Sequence, residues 1–326
     1  MIKKYTLTIG IPTYNGAKTI KDTLNSVVAQ FDEHILENIE VLISNNKSTD
    51  NVVEIVDEYI DLFPNNIRLI TNERYELKLD GNLINLFNNA QGEYLWIMSD
   101  DDAFEVNAFQ KVLEIIKEYK NIGVIFSNYS ECDASLNYLT TRLRDDIVED
   151  SYCANGDEFF IKSKVLFGLI SSLVFNVKDW QNANLQKYIG LNSLHVGALI
   201  EILSGKTSYI ISDKLVKLRT GNTTWGENGT FILVGFQLIQ MFHHMKYLNY
   251  KKYTIDYIID YFYTNSHINI IKAKIKGLSQ INKVYIEMKK CYGHKLGFWL
   301  LDVPLLYLPK SIYIFLFKIY TLGYKK

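Results

Sequence analysis

Through the first 130 residues, short β-branched runs alternate with segments whose apolar residues recur at helical spacing. Tyr5 to Ile11 alternates and predicts a strand, ended by Pro12-Thr13-Tyr14-Asn15-Gly16. Lys18 to Gln30 carries Ile20, Leu24, Val27 and Val28 on one helical face. Ile39 to Ile43 predicts a second strand, closed by the polar run Ser44 to Asp50, and Val52 to Leu62 a helix that Asp50 is placed to cap. Ile67 to Thr71 reads as a strand, Asn82 to Asn89 as a helix, and Tyr94 to Met98 as a buried strand. Phe109 to Tyr119 and Gly123 to Ser127 add one more helix and strand. This alternation, over short loops, predicts an α/β fold: a Rossmann-like, mostly parallel sheet flanked by helices.

The pattern then loosens. Ser130 to Asp150 is polar and acidic and reads as a loop or short hairpin, and Gly168 to Phe175 as a strand. Lys214 to Asn222 ends a strand in a Gly- and Asn-containing segment, 220–229, suited to ordering over a ligand. From Phe231 onward the periodicity is helical, over Phe231 to Leu248, Tyr253 to Ile271 and Ile281 to Lys290. The expected division is a catalytic domain over 1–229, with halves 1–130 and 131–229, followed by a helical region over 230–326.

Charge sharpens that division. From Gln240 to Lys326 there are 14 Lys, no Arg and four acids, a balance of +10, so residues 1–239 carry −11. A basic, aromatic-rich C-terminal region behind an acidic body points to an anionic membrane surface as partner, and no nucleic acid is expected. Gly297 to Leu322 is apolar over about 26 residues, long enough for a span. Asp302, Lys310 and Lys318 interrupt it and Pro304 and Pro309 break it, so an interfacial helical hairpin is expected, against a helix pair packed on the protein. The N-terminus lacks the apolar core of a signal peptide, and three scattered cysteines show no zinc or redox spacing. The expected location is cytoplasmic, peripheral on the inner face of the cell membrane.

Candidate chemistry sits at Asp100, Asp101 and Asp102, three consecutive carboxylates delivered by the Tyr94 to Met98 strand. Ligands of open α/β sheets bind outside the carboxyl ends of strands. Such acids repel one another unless a cation lies among them, and hard oxygen ligands suit Mg²⁺ or Mn²⁺ holding a phosphate. Neither GxGxxG nor GxxxxGK[ST] occurs at the turns, which argues against a dehydrogenase or a P-loop enzyme.

The three blocks IPTYNGAKTIKDTLNSVVAQ, IEVLISNNKSTDN and GEYLWIMSDDD together resemble a family 2 glycosyltransferase of the GT-A fold, over roughly residues 5–130. The resemblance implies transfer of a sugar, usually with inversion and a divalent metal, from a nucleoside diphosphate sugar to an acceptor. A glycan acceptor, lipid-linked in surface polysaccharide synthesis, is the expectation. It implies that Pro12, Thr13 and Tyr14 line the nucleoside. It also sets Asn45 where the family usually has a base-reading Asp. An amide both donates and accepts whereas a carboxylate only accepts, so uracil is the default base and cytosine, guanine or thymine stay open.

Among the acids, Asp100 is expected on the donor, with Asp101 and Asp102 on the metal, though the motif can be laid on them in more than one way. Relatives place a carboxylate base near a helix start where this chain has Asn192-Ser193-Leu194-His195; His195 is the candidate base, with Glu201 and Asp179 behind it. Arg219 is the candidate diphosphate clamp, and Trp180 could stack on a sugar or pack in the core. Rival readings are a nucleotidyltransferase, disfavoured by the absence of a Gly-rich basic loop after the first strand, and a non-catalytic scaffold of the same fold.

Overall fold

The computed structural model describes residues 4–139, 146–164, 167–221, 231–309 and 311–315. It falls into two compact units, residues 1–222 and 223–326.

The first unit opens with β1 (Tyr5–Thr13), α1 (Ile20–Val28), α2 (Glu33–Asn38), β2 (Ile39–Asn45), α3 (Val52–Leu62), β3 (Ile67–Thr71), α4 (Lys78–Asn89) and β4 (Gly92–Ile97). β1 and β2 are buried on both faces, as strands covered by helices must be. α1 sets Ile20, Leu24 and Val27 against the sheet, with none of them exposed. The short α2, which periodicity alone does not show, is capped by Asp32, whose carboxylate accepts the Ile35 N–H at 2.7 Å.

These strands lie in the order β3-β2-β1-β4, all parallel. The chain leaves β1 to one side for β2 and returns to its other side for β4, which makes a switch point at the β1 tip. Glu40 ties the opposite edge: it is buried, accepts Thr8 Oγ1 at 2.7 Å and the Gln91 N–H, and takes Arg68 through Nε and Nη2 at 3.1 and 3.0 Å.

Beyond β4 the sheet becomes mixed. β5 (Ala103–Phe104), α5 (Ala108–Glu118), β6 (Ile122–Cys132), β7 (Ser151–Cys153), α6 (Gly156–Lys162), β8 (Leu173–Asn176), α7 (Val177–Asn182), α8 (Leu194–Leu203) and β9 (Thr207–Arg219) follow. β8 inserts antiparallel between β4 and β6, while β9 runs parallel to β6 and antiparallel to β5 and β7. That antiparallel insertion brings two distant segments, around Ser171 and Arg219, beneath the loop after β4.

The second unit is helical: α9 (Phe231–His244), α10 (Lys252–Thr264), α11 (Ser266–Ile275), α12 (Ile281–Tyr292) and α13 (Val303–Tyr307). The single helix expected from Tyr253 to Ile271 is two, broken at Asn265, whose side chain donates to the Tyr261 carbonyl. Ile258, Phe242, Val284, Met288 and Phe298 make its core. Phe298–Asp302 forms a π-helical turn leading into α13, and 311–315 is helical. No helix of the described residues is long and apolar enough to cross a membrane. Lys310, Lys318 and the segments 222–230 and 316–326 lie outside the described residues.

Candidate active site

The site is built at the tips of β1, β2 and β4. β1 ends in Thr13, whose hydroxyl donates to Asp100 Oδ2 at 2.5 Å. The loop after β1 is stapled to the one after β2. Asn15 N–H donates to Ser48 Oγ at 2.9 Å, Thr49 N–H to Asn15 Oδ1 at 2.8 Å, and Ala17 N–H to Asp50 Oδ2 at 2.9 Å. Asp50 therefore reaches across to another loop, with only a 3.4 Å contact to the Val52 N–H as a cap. Gly16 is required by space: a Cβ there would stand 2.1 Å from Asp100 Oδ2 and 2.6 Å from Thr13 Oγ1.

The three acids separate into distinct environments. Asp100 and Asp101 are half-buried, and Asp102 is only 1% exposed. Burial pushes Asp100 up to about 6, opposed by the Thr13 hydroxyl and reinforced by the charge of Asp101. Asp101 Oδ1 accepts from Ser99 Oγ at 2.6 Å. Asp102, expected among the metal ligands, points inward instead. Its Oδ2 accepts from Ser171 Oγ at 2.6 Å and its Oδ1 from the Arg219 N–H at 2.9 Å, while burial and then the charge of Asp101 raise it to about 7.

Arg219, expected as a diphosphate clamp, is tied up within the protein. It is 4% exposed, and its guanidinium is spent on the Asp101 carbonyl (2.6 Å), the Ala134 carbonyl (2.5 Å) and Asp22 Oδ2 (2.8 Å). It holds the acid loop from beneath, because carbonyls and a carboxylate already occupy the fork that a phosphate would need.

Pro12, Thr13, Tyr14 and Asp100 line one cleft of about 780 Å³, together with Asn46, Lys47, Tyr75, Lys78, Asn82 and Ile170. Asn45 is buried at the β2 tip beside it, with Oδ1 accepting the Ser48 N–H at 2.9 Å. Lys47, Tyr75 and Lys78 carry no periodic signal, since they lie in the loop after β2, in a short 3-10 turn and at the first residue of α4. Lys47 and Lys78 adopt φ of +57° and +51°, and Lys47 Nζ lies 4.1 Å from the centre of the Tyr75 ring. Such strained non-glycine positions cluster at functional sites.

The candidate bases are placed elsewhere. His195 is buried in the first turn of α8, with Nε2 3.3 Å from the Gly168 carbonyl and Nδ1 without a partner among the described residues. Burial pulls its imidazole down to about 4, so it is neutral and weakly basic, which is the mark of a packed histidine rather than a general base. Glu201 is taken by Lys187 (2.8 Å) and Tyr188, and Asp179 by Lys206 (2.8 Å). Trp180 stacks on Phe87 in the core with ring centroids 3.7 Å apart. The α8 start is held less by Ser193, which makes no side-chain cap, than by Asp80. That carboxylate on α4 accepts the N–H groups of Gly190, Asn192 and Leu194.

A cation fits the donor set only in part. Among the described residues no three acids, histidines or cysteines are arranged to hold a metal by themselves. Asp100 supplies hard oxygens to the cleft and the half-buried Asp101 follows it in the same loop, a set that suits Mg²⁺ or Mn²⁺, ions that commonly take one or two carboxylates and complete their shell with phosphates and water.

A curled α/β sheet with acids at its switch point and a nucleotide-sized cleft defines a GT-A type transferase. The profile of Glycosyl transferase family 2 matches residues 8–175, and the chain belongs to that family; it is a glycosyltransferase. Among curated proteins it is 28% identical over 232 residues to abequosyltransferase RfbV of Salmonella typhimurium, covering 67% of this chain and 68% of that protein. It is 26% identical over 205 residues to the minor teichoic acid biosynthesis protein GgaA of Bacillus subtilis, covering 59% of this chain but only 44% of GgaA. The structure resembles S. aureus TarS 1–349 in complex with UDP-GlcNAc, with a TM-score of 0.59, 12% identity, and coverage of 87% of this chain and 81% of that one.

Proposed function

We propose that the chain transfers a sugar, with inversion, from a nucleoside diphosphate sugar to a hydroxyl of a bacterial surface glycan, lipid-linked during synthesis. The observation that carries this is Asp100 in the wall of the cleft that Pro12–Tyr14 and Tyr75 also line, with the half-buried Asp101 next to it in the loop after β4. Asp100 and Asp101 are the residues that would hold Mg²⁺ or Mn²⁺. When bound, the cation offsets charge developing on the leaving diphosphate. Thr13 and Ser99 fix the two carboxylates through their hydroxyls, and Asp102 and Arg219 keep the loop from collapsing inward. The surface-glycan setting is supported by the similarity to GgaA, a minor teichoic acid biosynthesis protein. Incubation with a panel of nucleotide sugars and Mn²⁺ tests the reading: one donor should release its nucleoside diphosphate, and Asp101→Ala or a chelator should abolish the release. Release unaffected by either would overturn the metal-assisted mechanism.

We also infer that the helical unit rests on anionic lipid at the inner face of the membrane. Leu296, Trp299, Leu300, Leu301, Ile314 and Phe315 are exposed apolar side chains within about 20 residues, beside Lys289 and Lys290.

A further inference from the structure

We propose that the helical unit takes one acyl chain of an anionic membrane phospholipid into a cavity along α9. The inference rests on the reading that this unit meets lipid, and names what it draws from the bilayer.

α9 has two apolar faces. Ile232, Phe236, Ile239 and Phe242 are buried and form the core face. Phe231, Val234, Gly235 and Leu238 recur at i, i+3, i+4 and i+7 on a second face, and each stays half-buried. That second face opens on a cavity of about 220 Å³, which Phe262 of α10, Asn269 of α11 and Tyr292 of α12 also line. The lining runs from Phe231 to Ile239, about 12 Å along the helix at 1.5 Å per residue. A space of that length and volume suits part of one hydrocarbon chain and is too small for two.

Gly235 keeps the space open. Glycine is a poor helix former, and within a helix it is usually explained by the close approach of a neighbour. Gly197 on α8 has that explanation, since a Cβ there would stand 2.5 Å from the Tyr188 ring. At Gly235 a Cβ would meet nothing within 4 Å among the described residues. Its missing side chain makes room for no other part of the protein, only for the cavity.

The charge beside the cavity selects the head group. Lys276, exposed just after α11, has Nζ 5.7 Å from the centre of the Phe231 ring and no carboxylate partner among the described residues. An ammonium beside an apolar slot matches a phosphate above a hydrocarbon tail. Ser266 also lines the cavity, and its hydroxyl donates to Asp302 Oδ1 at 3.0 Å, in the π-helical turn that carries the exposed Leu300 and Leu301. The cavity therefore adjoins the apolar surface proposed above to meet lipid.

The test is calorimetric titration of decyl phosphate, geranyl phosphate and decyltrimethylammonium, all below their micellar range, into the whole chain, Gly235→Leu and Lys276→Glu. Gly235→Leu fills the cavity with a better helix former, so its stability to urea should equal or exceed that of wild type. Decyl phosphate should bind wild type at a single site, and Gly235→Leu should weaken it about tenfold or more. Lys276→Glu should also weaken decyl phosphate, and should leave decyltrimethylammonium no weaker. Equal affinity of decyl phosphate for wild type and folded Gly235→Leu overturns the inference. So does tighter binding of geranyl phosphate, which assigns the cavity to a prenyl chain, or a wild-type dimer that Gly235→Leu separates, which assigns it to a second copy. Decyltrimethylammonium binding wild type as tightly as decyl phosphate overturns the choice of an anionic lipid. If decyl phosphate does not bind while wild type still cosediments with phosphatidylglycerol vesicles, this inference falls and the lipid-facing reading stands. Loss of both removes the two together.

Discussion

Gly16 shows how closely single residues set this site. Its missing Cβ leaves room for Asp100 Oδ2, and no backbone strain is involved. Gly16→Ala should therefore leave the fold intact, read by circular dichroism, and weaken binding of the metal–nucleoside diphosphate pair about tenfold or more, since the carboxylate or Thr13 must move. Unchanged affinity would show that Asp100 has slack. The sequence made Asp100, Thr13 and Tyr14 legible because each lies in a contiguous block at a strand end. It did not separate Asp102 from its neighbours. Identical side chains in a row take their roles from what packs behind them, here Ser171 and Arg219, 69 and 117 residues further along. The contacts of Arg219 are hidden from the sequence for the same reason: a basic residue at a strand end looks exposed until its partners are known.

At the scale of elements, the parallel β-α units were readable, with α3 and β3 agreeing at both ends, while α4 starts four residues before the expected Asn82 and α2 left no periodic trace. Each carries its own periodicity and needs no distant partner. β8 and β9 were less legible, since an antiparallel insertion is decided by tertiary pairing and not by a local pattern. His195 on α8 belongs here too. Its folded value of about 4 lies below the ordinary imidazole value of 6.5, so the unfolded chain binds the proton more readily. Stability is unaffected above about pH 6.5 and is lost as pH falls toward 4, by on the order of 3 kcal/mol in full. Urea unfolding of His195→Asn between pH 4 and 7 should show a flatter profile than wild type, with the difference confined to that window. An equal slope in both would mean that the ring titrates normally.

The whole molecule divides its charge as it divides its structure, an acidic α/β unit and a basic helical one. If the exposed apolar run of the helical unit meets lipid, Leu300→Glu with Leu301→Glu should abolish cosedimentation with vesicles containing phosphatidylglycerol. Donor turnover in solution should stay at the wild-type level. Retained cosedimentation would assign that surface to something other than lipid. Composition made the charge division visible, but not the break at Asn265 or the π-helical turn at Phe298–Asp302, which depend on how the helices stack.

The proposed metal site is incomplete in the protein alone and would be finished by the donor's phosphates, with Asp101 inside it and Asp102 outside. Electron paramagnetic resonance of Mn²⁺ measures this directly, on wild type, Asp101→Asn and Asp102→Asn, with and without nucleoside diphosphate. Mn²⁺ should bind wild type weakly alone and about tenfold or more tightly with the diphosphate present; Asp101→Asn should lose that gain, and Asp102→Asn should keep most of it. Tight Mn²⁺ binding without nucleotide, or equal losses in the two variants, would contradict this arrangement of the acids.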